Sequence, residues 1–231
     1  MTNRPPTARP MHKAIVFDLG KVLVPFDFKI GYRALEGACP YPADEIRRRI
    51  AQTGLVTPFE TGLIGPRDFF AQLAAALELS LDYEGFCRAW SSIFFGQLIA
   101  DPVLESLAAR YRLLLLSNTN TIHWQMIRRN YRMVEYFHDC VLSFEERAMK
   151  PDPAIYRVLV ARAGCRPEEC FFTDDIALNV EGARREGIDA VRFESPAQLQ
   201  REMANRGIYW DRTGAEAPPL SSPFGTTKVV P

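Results

Sequence analysis

Short apolar runs alternate with helical patterns along most of the chain, and this alternation predicts the fold. Apolar residues fill these runs throughout rather than at every second position, which is typical of parallel strands buried on both faces. The five runs cover residues 14–17, 113–116, 140–142, 170–172 and 190–193. Strand–helix–strand repetition of this kind predicts an α/β fold built on a doubly wound parallel sheet.

Several helices between the strands have recognisable ends. Asp101, Asp152 and Ser195 each precede a proline and then an apolar helical pattern, so each is predicted to cap a helix. Gly187 is predicted to end the helix that contains Val180 and Ala183.

The stretch from residue 26 to residue 96 differs, because it has helical patterns and no convincing strand. Its apolar positions include an aromatic stripe, interpreted as core packing, at Phe69, Phe70, Leu73, Leu77, Tyr83, Phe86, Trp90, Ile93 and Phe94. We therefore predict a helical cap at 26–96, inserted into a core formed by 12–25 and 97–213. An insertion after the first strand lies over the carboxyl ends of the strands, where open α/β sheets bind ligands.

The composition is that of a globular protein with a substantial core, since 47% of residues are hydrophobic and 24% are charged. Lys plus Arg and Asp plus Glu number 28 each, a balance that argues against nucleic acid or a membrane surface as partner. No apolar run approaches the ~20 residues of a membrane span. Residues 1–11 and 214–231 are polar and rich in proline, so we predict a disordered N-terminal tail and a flexible C-terminal tail.

Cysteine and histidine usage argues against a zinc site. The five cysteines show no CxxC spacing, and the chain has three histidines. Residues 1–10 lack the apolar stretch of a secretory signal. We predict a cytoplasmic protein with reduced thiols.

Polar side chains follow three of the predicted strands directly. Asp18 follows the first, Ser117 and Asn118 follow the second, and Asp174 with Asp175 follows the fourth. Because parallel strands end along one edge of a sheet, these groups can converge there. Taken alone, each has a simpler interpretation: Asp174 or Asp175 as a helix cap, and the others as turn residues.

Together with Lys150, in the loop before the helix predicted at Pro153, these residue types meet the needs of phosphoryl transfer. A carboxylate can accept the phosphoryl group as an aspartyl-phosphate. Mg²⁺ prefers oxygen ligands such as carboxylates. Lysine and small hydrogen-bond donors neutralise the charge on the phosphoryl oxygens.

Four segments resemble, in order, the four motifs of the haloacid dehalogenase superfamily. They are Phe17-Asp-Leu-Gly-Lys-Val22, Leu116-Ser-Asn-Thr119, Met149-Lys-Pro-Asp-Pro153 and Phe172-Thr-Asp-Asp175. The likeness is strongest to the subgroup with a small helical cap after the first motif. That subgroup includes bacterial glucose-1-phosphate phosphatases and the phosphatase domain of soluble epoxide hydrolase.

The resemblance implies a role for each matching residue. Asp18 would be the nucleophile and a Mg²⁺ ligand, and Gly20 would offer its backbone carbonyl to the metal. Lys150 would bridge nucleophile and phosphate. The remaining implied roles are phosphoryl binding for Ser117 and the Asn118 backbone, Mg²⁺ binding for Asp175 with Asp174 beside it, and ordering of the loop for Asn179.

One departure from the superfamily pattern concerns the general acid. Its phosphatases usually carry aspartate two residues after the nucleophile, where this chain has Gly20. A good leaving group, such as a sugar anomeric hydroxyl, would need the acid less; water or Asp27 is a possible substitute. Lys21 is also unusual, and three interpretations are open: a contact to phosphate, an obstruction of the metal site, or a plain surface lysine.

Three hypotheses follow. The first is a Mg²⁺-dependent phosphatase of a small phosphorylated metabolite, either a monomer or a homodimer. The second is a 2-haloacid dehalogenase, in which the same aspartate attacks carbon without metal; Gly20 fits this reaction, whereas the pair of Asp174 and Asp175 does not. The third is a binding protein that keeps the fold without turnover, with the ammonium of Lys21 in place of the cation.

Overall fold

The computed structural model describes residues 12–210, and within them five strands form one parallel sheet. The strands are β1 (Ala14–Phe17), β2 (Arg112–Ser117), β3 (Asp139–Leu142), β4 (Cys170–Asp174) and β5 (Asp189–Arg192). They lie side by side in the order β3-β2-β1-β4-β5, so β1 is the central strand. The predicted doubly wound α/β fold is therefore confirmed.

Each predicted strand is present, and the differences lie at the strand ends. β2 and β4 continue for one and two residues beyond the apolar runs, to Ser117 and Asp174. The backbone ladder explains this, since Ser117 pairs with Leu142 and Asp174 pairs with Arg192. The polar side chains at these positions are thus held by strand hydrogen bonds rather than by loops.

Six α-helices lie between β1 and β2, and we call the first five, over residues 28–91, the cap helices. They are α1 (Phe28–Glu36), α2 (Ala43–Thr53), α3 (Val56–Glu60), α4 (Pro66–Leu77) and α5 (Tyr83–Ser91). The aromatic stripe packs as expected, with Phe69 stacked on Phe59 at 4.1 Å and meeting Trp90 edge to face. That these helices form a domain bounded by residues 26 and 96 stays a prediction. The two predicted tails lie outside the described residues.

The other helices cover the two faces of the sheet. They are α6 (Asp101–Ala108), α7 (Thr121–Asn130), α8 (Ser143–Glu146), α9 (Pro153–Ala163), α10 (Ala177–Arg185) and α11 (Pro196–Ala204). Alternate residues of β1 enter two different apolar clusters: Ile15 and Phe17 enter one, Ala14 and Val16 the other. The sheet is therefore buried on both faces, as its continuous apolar runs predict. No helix in residues 12–210 has the length and hydropathy needed to cross a membrane.

Two of the three predicted helix caps are confirmed, and one is wrong. Asp152 accepts a hydrogen bond from the backbone N–H of Ala154, and Ser195 accepts one from Gln198. Asp101 is instead the first residue of α6, because the extended backbone of Ala100 makes that residue the N-cap; the carboxylate of Asp101 accepts from the side chain of Gln97. Its place in the first turn still suits the positive end of the helix dipole.

The two segments that join the cap helices to the sheet run side by side. Phe26 and Phe94 form an antiparallel bridge. The backbone N–H of Asp27 donates to the carbonyl of Ile93 at 2.9 Å, and the N–H of Leu98 donates to Leu23 at 2.8 Å. We call residues 20–27 and 92–99 the paired linkers. Their hydrogen bonds fix where the cap helices leave the sheet.

The cap helices also contact α8 directly. Gly62 follows α3 with a φ of +66°, and a β-carbon there would lie 2.0 Å from the carbonyl oxygen of Phe144. Only glycine meets both conditions without strain. Beside this contact, the hydroxyl of Ser143 donates to the carbonyl of Glu60 at 2.6 Å.

His123 on α7 joins the cap helices to the sheet layer. Its Nε2 donates to the carbonyl of Trp90 at 3.0 Å, and its Nδ1 accepts from the side chain of Asn120 at 3.0 Å. The ring stacks on Trp90 and is 5% exposed. Burial lowers the pKa of His123 to about 4, although the Trp90 carbonyl acts in the opposite direction. The side chain is therefore neutral at neutral pH.

We expect this neutral His123 to make stability depend on pH. Below about pH 6.5, the usual pKa of histidine, His123 is protonated in the unfolded chain but stays neutral in the folded chain. The free energy of unfolding therefore decreases as the pH falls. Between pH 8 and pH 5 this contribution is about 2 kcal/mol. Urea unfolding of the wild type and of His123→Gln at both pH values measures it. The variant should lose correspondingly less stability over that interval, and equal losses in the two proteins would contradict the assignment.

Candidate active site

The predicted site residues meet at the carboxyl edge of the three central strands. Asp18 directly follows β1, Ser117 ends β2, and Asp174 ends β4. Lys150 comes from the loop between α8 and α9, where it is 3% exposed. Its long side chain crosses to β1 and β4.

The ammonium group of Lys150 binds two of the carboxylates at once. Nζ lies 2.6 Å from Oδ1 of Asp18 and 2.6 Å from Oδ2 of Asp174. It also donates to the backbone carbonyl of Leu116 at 2.9 Å. Each of its three hydrogens therefore has an acceptor, and the ammonium group is fixed between β1, β2 and β4.

Negative charge exceeds positive charge in this buried cluster. Oxygen atoms of Asp18, Asp174 and Asp175 lie within 4.8 Å of one another. Lys150 supplies one positive charge to three carboxylates, which leaves a surplus of about two negative charges when all are ionised. A divalent cation matches this surplus, and carboxylate oxygens are ligands that Mg²⁺ prefers.

The pKa values of the cluster reflect burial and this surplus. Burial and then Asp174 raise the pKa of Asp18, although Lys150 opposes them. Burial lowers the pKa of Lys150, but the two carboxylates outweigh that effect and raise it. Burial and Asp174 also raise the pKa of Asp175, against the effect of Lys21 and Lys150. Every shift is towards proton binding, so the cluster favours an additional cation.

Asp174 is held in place by α10. The side-chain amide of Asn179 donates to both of its carboxylate oxygens, at 3.0 and 3.1 Å. The backbone N–H of Ile176 donates to Oδ1 at 2.8 Å. Asp174 is thus fully buried and its oxygens are oriented, whereas Asp175 is partly exposed. The alternative of Asp174 or Asp175 as the cap of α10 is wrong, because Ile176 occupies the N-cap position.

Asn118 holds the Lys150 loop with its side chain. Its Oδ1 accepts from the backbone N–H of Lys150 at 2.8 Å, and its Nδ2 donates to the carbonyl of Lys150 at 2.9 Å. The resemblance gave a role only to the backbone of Asn118. The side chain adds a second role, which is to set the position of Lys150.

Ser143 is a buried polar residue that the sequence reasoning missed. Its hydroxyl accepts from the backbone N–H of Thr119 at 2.9 Å and lies against the carbonyls of Thr119 and Glu60. It therefore fastens the loop after β2 to α3. The available signal was its place directly after the third apolar run, where the other strands carry site residues.

Gly20, Lys21 and Asp27 lie on the first of the paired linkers. Gly20 forms a bridge with Val24, and Lys21 is exposed, with its Nζ 5.2 Å from the ring centre of Phe26. Among residues 12–210, the ion pairs of Asp18 and Asp174 are with Lys150 and not with Lys21. Asp27 is exposed and caps α1 by accepting from the N–H of Lys29.

We expect the two hydrogen bonds of Asn118 to stabilise the folded protein. Asn118→Ala leaves the buried backbone groups of Lys150 without partners, which should cost about 1–3 kcal/mol of unfolding free energy. Asn130→Ala is the matched control, because the exposed Asn130 donates to the carbonyl of Met126 in its own helix, and should change stability by less than about 0.5 kcal/mol. Chemical denaturation measures both, and equal stabilities of the two variants would refute this role.

Comparisons with known proteins agree with this geometry. The family model of the haloacid dehalogenase-like hydrolases matches residues 12–187. The chain is 30% identical over 224 residues to "Phosphatase MT3486" of Mycobacterium tuberculosis, covering 87% of this chain and 98% of that protein. It is 31% identical over 95 residues, 41% of each chain, to (S)-2-haloacid dehalogenase 4A of Burkholderia cepacia.

A solved structure extends the likeness to the whole fold. A haloacid dehalogenase family enzyme from Bacteroides thetaiotaomicron, in complex with magnesium and inorganic phosphate, has a TM-score of 0.72 and 29% sequence identity. The match covers 80% of this chain and 96% of that enzyme. With the family model matching most of its length, the chain belongs to the haloacid dehalogenase-like hydrolases.

Proposed function

We propose that the protein is a Mg²⁺-dependent phosphatase that hydrolyses a small phosphorylated metabolite, with sugar phosphates among the substrates to test. The observation that carries the proposal is Lys150, whose ammonium group joins Asp18 to Asp174 at 2.6 Å beside Asp175. The relative named a phosphatase and the solved structure with magnesium and phosphate support it.

The residues present fit a magnesium ion, because the cluster carries surplus negative charge and offers oxygen ligands. The carboxylates of Asp18, Asp174 and Asp175 would hold the ion, and we assign a further contact to the backbone carbonyl of Gly20. When bound, Mg²⁺ neutralises charge on the carboxylates and on the phosphoryl group. Ser117 and the backbone N–H of Asn118 would bind the phosphoryl oxygens.

In the first step Asp18 attacks phosphorus. Lys150 occupies Oδ1 of Asp18, so Oδ2 is the oxygen free to attack. A bond forms between Oδ2 and phosphorus while the bond from phosphorus to the ester oxygen breaks, which yields an aspartyl-phosphate and the leaving alkoxide or phenoxide. Lys150 stays beside the transferred group and balances its charge.

In the second step water attacks the aspartyl-phosphate. The bond between water oxygen and phosphorus forms as the bond to Asp18 breaks, which releases inorganic phosphate and restores the carboxylate. Lys150 holds Oδ1 of Asp18 through both steps, so the side chain keeps its orientation.

The geometry disfavours both alternative hypotheses. A 2-haloacid carries a carboxylate, which the surplus negative charge around Asp18 and Asp174 would repel. The curated dehalogenase resembles this chain over 41% of its length, against 87% for the phosphatase. A cation site blocked by Lys21 is also disfavoured, since Lys21 is exposed and lies over Phe26.

We expect hydrolysis of p-nitrophenyl phosphate to require both Mg²⁺ and Asp18. EDTA should abolish the release of p-nitrophenol and added Mg²⁺ should restore it, because the carboxylate cluster repels a dianionic substrate without the cation. Asp18→Asn should reduce activity to background, since an amide is not a competent nucleophile. Asp27→Asn is the matched control, because Asp27 is an exposed helix cap, and should keep full activity.

Two results would contradict the phosphatase. One is an absence of activity towards p-nitrophenyl phosphate and a panel of sugar phosphates with Mg²⁺ present. The other is activity that survives in Asp18→Asn. Halide release from 2-chloropropionate without metal would instead support the dehalogenase.

A further inference from the structure

The ionisable groups in contact with Asp18 already have partners. Lys150 uses all three hydrogens on Asp18, Asp174 and the Leu116 carbonyl. Asp174 is fully buried and accepts from Asn179, Lys150 and a backbone N–H. Asp175 belongs to the cation cluster. None of these groups is available to give a proton to a departing ester oxygen.

The chain that follows Asp18 carries no acid as far as residue 26. Leu19 is 2% exposed, so Gly20 is the first partly exposed position after Asp18. Residue 20 is therefore the position nearest to Asp18 along this segment at which a side chain could reach a bound ester.

The ring of Phe26 occupies the space into which such a side chain would extend. A β-carbon on Gly20 would lie 2.7 Å from Cε1 and 3.3 Å from Cδ1 of Phe26, closer than van der Waals contact allows. The ring of Phe26 thus fills the space that an acidic side chain at residue 20 would need.

Phe26 is held in this position from several sides. Its backbone is in the bridge to Phe94, and its ring meets the rings of Phe28 and Phe94 edge to face at 5.0 and 5.9 Å. The Nζ of Lys21 lies over it. Any rotation of the ring would therefore break its contacts with Phe28 and Phe94.

From this geometry we infer that the enzyme gives no proton to the leaving group, so its substrates are phosphate esters whose leaving group departs as a stabilised oxyanion. The inference rests on the proposed phosphatase activity. Phenols, enols and the anomeric hydroxyls of sugars form such leaving groups, whereas primary alcohols do not. When the bond from phosphorus to the ester oxygen breaks, the electron pair stays on that oxygen, and water supplies the proton afterwards.

Two carboxyl groups are rival proton donors. Asp27 follows Phe26, is exposed and caps α1, and the Asp27→Asn variant described above tests it. The other lies on the cap helices. Glu60 is half-buried at the end of α3, and its backbone carbonyl accepts from Ser143 next to the loop after β2. Burial raises the pKa of Glu60 to about 7, so its carboxyl group can carry a proton at neutral pH. Glu60→Gln therefore belongs in the test.

The experiment compares matched esters that differ in their leaving group. Phenyl phosphate and benzyl phosphate are similar in size, but phenol is far more acidic than benzyl alcohol. Glucose 1-phosphate and glucose 6-phosphate make the same comparison for a sugar, and show whether aryl or glycosyl esters are preferred. We expect kcat/KM to be at least about 100-fold higher for the better leaving group of each pair, which is within the range that a general acid supplies.

Two variants test the place of Phe26. Gly20→Asp with Phe26→Ala provides an acid and the room for it, so it should raise kcat/KM for benzyl phosphate at least about tenfold above Phe26→Ala alone. The same double variant should raise kcat/KM for phenyl phosphate much less, because phenoxide leaves without a proton. Circular dichroism checks that both variants fold, and the comparison of esters on the wild type does not depend on them.

The outcomes separate the inference from the proposed function. Rates within a few-fold for phenyl and benzyl phosphate would overturn the inference and leave the phosphatase intact. So would a selective loss of benzyl phosphate hydrolysis in Glu60→Gln, which would make Glu60 the acid. An absence of hydrolysis of every ester would overturn the proposed function and the inference with it.

Discussion

The ion pair of Lys150 with Asp18 and Asp174 is the interaction on which the rest of the site depends. Two buried carboxylates side by side would repel each other, and one ammonium group between them offsets most of that repulsion. The ion pair joins a loop residue to the carboxyl ends of β1 and β4, so it also holds the loop against the sheet. The ion pair leaves a surplus of negative charge on the carboxylates. This surplus favours a cation as the ligand of the site.

Two asparagine side chains hold the partners of this ion pair in position. Asn118 holds the backbone of Lys150 from one side, and Asn179 orients Asp174 from the other. The amide of Asn118 both donates and accepts a hydrogen bond, and the amide of Asn179 donates to both carboxylate oxygens of Asp174. These side chains therefore have little freedom to rotate. Preorganised polar groups of this kind stabilise charge in the transition state without rearranging during the reaction.

Much of this arrangement could be predicted from the sequence, for a physical reason. Continuous apolar runs identified the strands, and parallel strands carry whatever follows them to one edge, so Asp18, Ser117 and Asp174 could be placed together. Side-chain partners could not be predicted, because they depend on distances across the sheet. The carboxylate of Asp101 bonds Gln97 instead of capping its helix, and Ser143 ties α3 to the loop after β2. The contact of Gly20 with Phe26 also depends on how the paired linkers meet.

The paired linkers have a consequence for how the enzyme can change. Phe26 is at once a residue of the bridge between the paired linkers and the residue whose ring lies against Gly20, two positions after Asp18. A substitution at Phe26 therefore acts in two places, on the join between the cap helices and the sheet and on the space beside Gly20. The two cannot be changed independently through this residue.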